Sequence, residues 1–432
     1  MKHIRFMIFA IVFTLFSPTL AAADEKDMAS FQTVWETVKK QHWDLPGTGV
    51  DWDEVYQRYK PKVEAAETRS EVRQHLSAML KELGQSHFNI LEESAHQAME
   101  AITAKFPTGT GWPGFEVAVV EGKVFVVEID KSSDAAKQGV VIGTQMLALR
   151  GEELQPVVKG MKDALSGAAH EERDLKEQIN RFFSGFPGEF LPVKILRDGK
   201  AQEIEIELVE PKGRFMQLLN IPRVYFHYES RIMGQNIGYV AFNVFLFDAK
   251  QAFEKDILGE MAATDGLIID LRGNPGGMGM LSSAFAGRII EEKGKKLGVM
   301  HNSGGTLNFP IFPQNPVYTK PVAILIDAGS ASTSEIMAQG LKDLKRAKLF
   351  GSRSAGAALP SFIETLPNGD LFQYAIGDFV SVGGKTIEGV GVEPDVFAPH
   401  TLESLGRGED AALAAARAWI LSIKTGAQNE SL

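Results

Sequence analysis

Three serines, Ser330, Ser332 and Ser334, stand in the stretch LIDAGSASTSEIMAQGLKD, between an apolar run and a segment of helical periodicity. A hydroxyl at such a junction meets unpaired helix amides and the positive end of the helix dipole, a setting that favours developing negative charge. A second turn, DLRGNPGGMG from Asp270 to Gly279, ends another apolar run with Gly273, Gly276 and Gly277. Glycines there let the backbone turn sharply and leave N–H groups exposed. A hydroxyl nucleophile and exposed amides are parts of an acyl-transfer site. The simpler alternative is two ordinary strand-to-helix turns, with Ser332 or Ser334 as an N-cap. A serine hydroxyl is a weak nucleophile unless a neighbouring base takes its proton.

The elements around these turns set where the groups can meet. From about residue 235 the pattern alternates strand and helix, and Leu267 to Leu271 and Val322 to Asp327 are apolar throughout. Such strands are expected at the centre of a sheet covered on both faces. Residues 27 to about 84 carry helical periodicity in three stretches, with Thr68, Ser70 and Glu71 as a start signal and Gly84 as a stop. From about 106 the texture turns to short alternating strands, punctuated by Glu121-Gly122, Arg150-Gly151 and Asp198-Gly199. Between those strands HEERDLKEQINRFF reads as a solvated surface helix.

Taken in order, IGYVAFNVF, DLRGNPGG, GSASTSEIMAQGL and EGVGVEPDV resemble the core of the C-terminal-processing and tricorn-type serine peptidases, the tail-specific protease superfamily. SSDAAKQGVVIGTQMLALRGEEL is similar to part of the PDZ domain such enzymes carry. The resemblance covers about residues 30 to 398. It implies an α+β multidomain chain: signal peptide 1–23, N-terminal helical domain 24–100, PDZ-like β module 106–212 and peptidase core 213–432, the core an α/β unit with a crotonase-like ββα arrangement of sheet and helix.

The resemblance makes Ser332 the nucleophile, as the middle serine of the family's S-A-S-x-S-E motif, with Ser330 in the turn and Ser334 in a structural role. In the C-terminal-processing branch the base is a lysine 25 residues downstream, and that count arrives at Ala357. Lys342 lies ten residues along the helix, about 15 Å away at the helical rise, too far for direct proton transfer. The tricorn branch uses histidine, and its members resemble this chain at LGQSHFNI. That similarity implies His87 as general base, Ser86 as the group that orients it, and Glu388 as the carboxylate completing the arrangement. Histidine suits the task because its ordinary pKa is near 6.5. His227 in RVYFHYES is the rival base, His75 and His96 sit in helix-like stretches, and His42 and His170 are expected in surface segments. For the oxyanion the resemblance implies an amide from the Gly276-Gly277 pair and the Thr333 amide. In the β module it implies capture of a peptide terminus by the TGTGWPGFEV loop, with Gly114 and Phe115 as donors.

Composition bounds the rest. A chain of 432 residues, 44% hydrophobic, can bury more than one core. MKHIRFMIFAIVFTLFSPTLAAA reads as a signal peptide cleaved before Asp24, its apolar run being shorter than the roughly 20 residues of a membrane span. Loss of Lys2 and Arg5 takes the formal charge from −10 to near −12, which disfavours nucleic acid and anionic membrane as partners. There are no cysteines, so disulfides and thiolate metal sites are excluded. No cofactor is implied, and no metal, since no histidine and carboxylate cluster has ligand spacing. The expected protein is a periplasmic serine endopeptidase, full secretion being the alternative compartment, that hydrolyses polypeptides at C-terminal or unfolded segments through an acyl-enzyme. The alternative function is a peptidase-fold protein that lost the reaction and binds peptide or a small hydrophobic ligand. The interphotoreceptor retinoid-binding proteins, similar in fold, show that fold does not fix function.

Overall fold

The computed structural model describes residues 24–91, 111–166, 171–218 and 221–429. The expected signal peptide, His96, His170 and the first residues of the TGTGWPGFEV loop lie outside the described residues.

Three helices open the described chain: α1 (Glu25–Gln41), α2 (Trp52–Glu64) and α3 (Arg69–Lys81). Each begins at a side-chain cap, Asp24, Asp51 and Thr68 respectively. Their apolar residues recur at helical spacing and are buried: Phe31, Val34 and Val38 on α1, Val55, Tyr59 and Val63 on α2, Val72, Leu76 and Met79 on α3. Gly84 follows α3 at φ +64°, a left-handed turn that suits glycine and redirects the chain into Ser86 and His87. The short strand β1 (Asn89–Leu91) comes next.

The β module contains β2 (Phe115–Val120), β3 (Lys123–Ile129), the short helix α4 (Asp134–Lys137), β4 (Gln145–Leu149), β5 (Glu152–Glu153), α5 (Leu154–Leu165), α6 (Glu171–Phe182), β6 (Phe190–Arg197) and β7 (Lys200–Glu207). Its strands run in the order β2-β3-β4-β6-β7, all antiparallel, with β5 beside β4. Ile179 and Phe183 from α6 and its exit are fully buried in the module's core. The charged stretch expected to be solvated is therefore amphipathic, and its apolar face closes the sheet.

A hairpin of β8 (Arg214–Leu218) and β9 (Ile221–Phe226) leads to the largest unit. There β10 (Tyr228–Met233), β11 (Ile237–Phe242), α7 (Phe247–Leu258), β12 (Gly266–Asp270), α8 (Met280–Ala286), β13 (Lys296–Asn302), β14 (Gly305–Pro310), β15 (Val322–Ile326), α9 (Thr333–Asp343) and β16 (Ala347–Gly351) follow in turn. The chain closes with β17 (Ser361–Thr365), β18 (Leu371–Ala375), β19 (Gly377–Ser381), β20 (Val396–Phe397), α10 (Leu402–Gly406) and α11 (Ala411–Asn429). The main sheet has the order β10-β11-β12-β15-β16-β20, parallel from β11 onward. β12 and β15 are buried at every residue, the central strands expected from their unbroken apolar runs. One face packs Ile269, Ile324 and Ile326 against α7, α8 and α9, and the other packs Ile268, Ala323 and Leu325 against Ala412, Ala416 and Ile420 of α11.

The N-terminal helices do not keep a core to themselves. Their apolar faces pack on Leu359, Leu366, Phe372 and Tyr374, residues around β17 and β18. β1 adds itself to that sheet, pairing Asn89 with Gln373, Ile90 with Phe372 and Leu91 with Leu371. The Ser86-His87 turn is thereby held against the C-terminal third of the chain.

Candidate active site

The parallel strands β12 and β15 both end at the glycine and serine turns, which lie side by side. The Ser330 hydroxyl donates to the Leu271 carbonyl at 2.7 Å, and the Ser334 hydroxyl to the Asn274 carbonyl at 2.9 Å. Both serines are fully buried. They are staples between the two turns. Ser332, between them, is half-buried and reachable from solvent.

Ser332 sits at φ 54°, ψ −117°, a conformation that side chains rarely adopt and that neighbours must enforce. Its N–H is shared between the Ala357 carbonyl at 2.8 Å and Glu335 Oε2 at 3.0 Å. Glu335 is fully buried three residues into α9, and its other donors are Ser354 Oγ at 2.5 Å, the Gly356 N–H at 2.7 Å and the Ala357 N–H at 3.0 Å. Burial pushes the Glu335 carboxyl up to about 7, against the opposing pull of those four donors. The residue clamps the Ser332 turn to the 354–357 loop.

The glycine turn approaches Ser332 closely. A Cβ on Gly276, at φ +104°, would come within 2.8 Å of Ser332 Cβ and 2.9 Å of the Thr333 nitrogen. The Gly276 N–H donates to Asn274 Oδ1 at 2.9 Å, so it is committed within the turn. Among the described residues nothing accepts the N–H of Gly277, which is exposed, or that of Thr333 at the start of α9.

His87, also at positive φ (62°), is part of a relay. Its Nδ1 lies 2.7 Å from Ser86 Oγ, and Ser86 Oγ donates to Glu388 Oε2 at 2.9 Å. A hydroxyl has one proton, and a carboxylate takes it, so Nδ1 must be the donor to Ser86. That leaves the lone pair on Nε2, the tautomer a base requires. The Ser86 N–H also donates to Glu388 Oε1 at 2.8 Å.

One peptide unit joins this relay to Ser332. The C=O of Ala357 accepts the Ser332 N–H, and the N–H of the same peptide, on Ala358, donates to Glu388 Oε2 at 2.9 Å. Ser332 and Glu388 thus lie on opposite sides of a single planar group. Ala357 itself is 1% exposed. The position where the resemblance leads one to expect a lysine thus adjoins Ser332 and holds only a methyl group.

Residues 236–398 match the sequence pattern of peptidase family S41, and residues 24–81 that of the tricorn protease C1 domain. The chain carries a peptidase family S41 domain. Among curated relatives of this S41 peptidase, a carboxy-terminal-processing protease of Bartonella bacilliformis is 24% identical over 400 residues, 90% of this chain and 79% of that one. Among solved structures it is similar to the photosystem II D1 C-terminal processing protease, with a TM-score of 0.56 and 20% identity over 90% of this chain and 99% of that one. It is also similar to the tricorn protease, at a TM-score of 0.52 and 16% identity over 93% of this chain and 37% of that one. Family and relatives make it a serine-type peptidase, a hydrolase with the mixed α/β fold of that family.

Other expected groups lie elsewhere in the S41 peptidase. His227 is half-buried with its N–H-bearing backbone held by Asn243 and its ring 4.0 Å from Glu229, and burial lowers its pKa. His42, expected at the surface, is 7% exposed, stacked on Trp43 and Phe88 and bonded to Gln85. Aromatic neighbours on both sides buried it, a tertiary effect that local sequence does not carry. Lys342 is tied to the Glu393 carbonyl and Asp395. Gly114 and Phe115 are buried, Gly114 against Ser133 with its carbonyl accepting the Asp130 N–H, and Phe115 edge-on to Phe183. Sequence reading passed over Glu335, although Ser332 and Glu335 have the S-x-x-E spacing of a capping box. It also passed over Asn274, whose side chain shapes the glycine turn from Phe242 to Gly276.

Proposed function

We propose that this peptidase is an exported endopeptidase that cleaves polypeptides at C-terminal or unfolded segments through an acyl-enzyme on Ser332. The observation that carries the reading is the relay from Glu388 through Ser86 to His87, joined to Ser332 by the 357–358 peptide. Ser332 Oγ gives its proton to His87 Nε2 as the Oγ–C bond forms on the scissile carbonyl. The oxygen of the tetrahedral intermediate is held by the Gly277 and Thr333 amides, donors beside the serine that nothing among the described residues accepts. Gly276, the other glycine of the expected pair, supplies close approach instead, its N–H being spent on Asn274. His87 then delivers the proton to the leaving amine as the C–N bond breaks, and water releases the acyl group by the reverse roles. Ser86 and Glu388 keep the imidazole in the tautomer that can do this.

The division into a helical domain (24–100), a PDZ-like module (106–212) and a peptidase core of crotonase-like layout (213–432) belongs to the same reading, as does capture of a peptide terminus near Gly114 and Phe115. The names of the carboxy-terminal-processing relatives support the substrate class. Residues 1–23 support export by their composition, and no helix among the described residues is long and apolar enough to cross a membrane. The test is Ser332→Ala assayed on an unfolded polypeptide with a free C-terminus. Hydrolysis should fall by about 10³-fold or more, with the folded state intact by circular dichroism. Unchanged turnover would sink the assignment.

A further inference from the structure

The β module sends one cation into the peptidase turns. Lys176 of α6 places its Nζ 2.5 Å from Asp327 Oδ2, across 151 residues of sequence. Asp327 ends the apolar run of β15, and its other oxygen, Oδ1, accepts the Gly273 N–H at 2.8 Å and the Gly329 N–H at 2.9 Å. One carboxylate therefore ties the glycine turn to the serine turn. Three residues beyond Gly273 is Gly276, and three beyond Gly329 is Ser332. The turns touch at this point: a Cβ on Gly329 would lie 2.8 Å from Gly273 Cα, and one on Gly273 would lie 3.5 Å from Lys176 Nζ.

We propose that Lys176 is a positioning residue for the hydrolytic site, acting from the β module by holding Asp327 in the geometry that aligns the glycine turn with Ser332. This rests on the reading of Ser332 as nucleophile. The lysine is delivered by a rigid element. Asn180, one turn along α6, donates to the Lys176 and Val117 carbonyls and accepts the Val117 N–H at 2.9 Å, pinning the helix to β2. Ile179 and Phe183 fix its inner face in the module's core. The pair is mostly withdrawn from water, with side-chain exposures of 23% and 20%. Two neutral amides do not balance a carboxylate there, so a charged partner is required to keep it ionised and in place. The charged groups around the pair are Glu116 and Glu128 of the module, Asp270 and Arg272 at the glycine turn, and His400 and Asp410 of the C-terminal segment. Burial alone would push the Asp327 carboxyl up. Lys176 prevails and holds it below the usual carboxylate range.

The experiment compares Lys176→Met, Lys176→Arg and Asp327→Asn with the full-length parent on one unfolded polypeptide substrate. Lys176→Met should lower kcat by about tenfold or more with KM changed by less than about threefold, because alignment rather than binding is lost. It should also steepen and move to higher pH the acid limb that protonation of His87 gives the parent, since Asp327 without its cation takes up a proton at higher pH. Lys176→Arg should keep at least about a third of kcat. In an Asp327→Asn background, Lys176→Met should cost less than about threefold more, the two residues acting as a unit. If Lys176→Met fails to fold, the arginine variant and the Asp327→Asn pH profile are read instead. Equal losses for arginine and methionine, or kcat of Lys176→Met within about twofold of the parent while Ser332→Ala is inactive, would overturn the proposal and leave the site reading standing. An active Ser332→Ala would remove both.

Discussion

Ser332 and His87 share an uncommon backbone state, positive φ on residues with side chains; the Ser332 N–H is held by the Ala357 carbonyl and Glu335, and the N–H of Ser86, next to His87, by Glu388. For Ser332 the holding group is Glu335. Glu335→Gln keeps the shape but turns two acceptor positions into donors facing the Ser332 and Ala357 N–H groups. Turnover should fall by about tenfold or more, measured as kcat on an unfolded substrate. The same carboxyl sets a pH dependence. Its folded pKa, about 7, lies above the ordinary 4.5 of a glutamate, so the folded state holds an extra proton between those values. Stability should therefore drop as pH rises from about 4.5 to about 7, by up to about 3 kcal/mol, and urea midpoints should show this slope disappear in Glu335→Gln. A slope of equal size in the variant would assign it to another group. The expectation of Ser332 rested on motif position, and the count to Ala357 exposed the missing lysine. The weight carried by Glu335 was written in its spacing from Ser332, but its burial among four donors depends on loop 354–357 folding over it.

At the level of elements, β12 and β15 were legible because strands covered on both faces need unbroken apolar runs. The three N-terminal helices were legible from periodicity and caps. α6 was misjudged because its charges dominate a short window, while Ile179 and Phe183, at i and i+4, carry the buried stripe. The docking of α3 had no local sign at all. Arg73 on α3 grips the fully buried carboxylate of Asp370, through Nε at 3.0 Å and Nη2 at 2.9 Å, beside β18. Removing one partner strands a buried charge, so Arg73→Ala should lower unfolding free energy by about 3 kcal/mol in urea titration. A loss under about 1 kcal/mol would mean that α3 is held by its apolar face alone.

Across the whole molecule, separate stretches of sequence prove interdependent. The helices of residues 25–81 share a core with β17 and β18, the β module reaches Asp327 through Lys176, and its β3 residues Phe125 and Val127 pack on Leu405 of α10. Composition shifts along the chain marked where one texture ends and the next begins. They could not mark these contacts, since a pair such as Ser86 and Glu388 is 302 residues apart and each partner looks like an ordinary polar loop residue. The account depends on that closure bringing His87 to work on Ser332. The most direct test is the rate at which a serine-reactive fluorophosphonate labels the full chain, with the modified residue located by peptide mass spectrometry, in the parent and in His87→Ala. The account predicts modification at Ser332, slowed by about 10²-fold or more in His87→Ala. Labelling of Ser332 that is equally fast without His87, or labelling elsewhere, would contradict it.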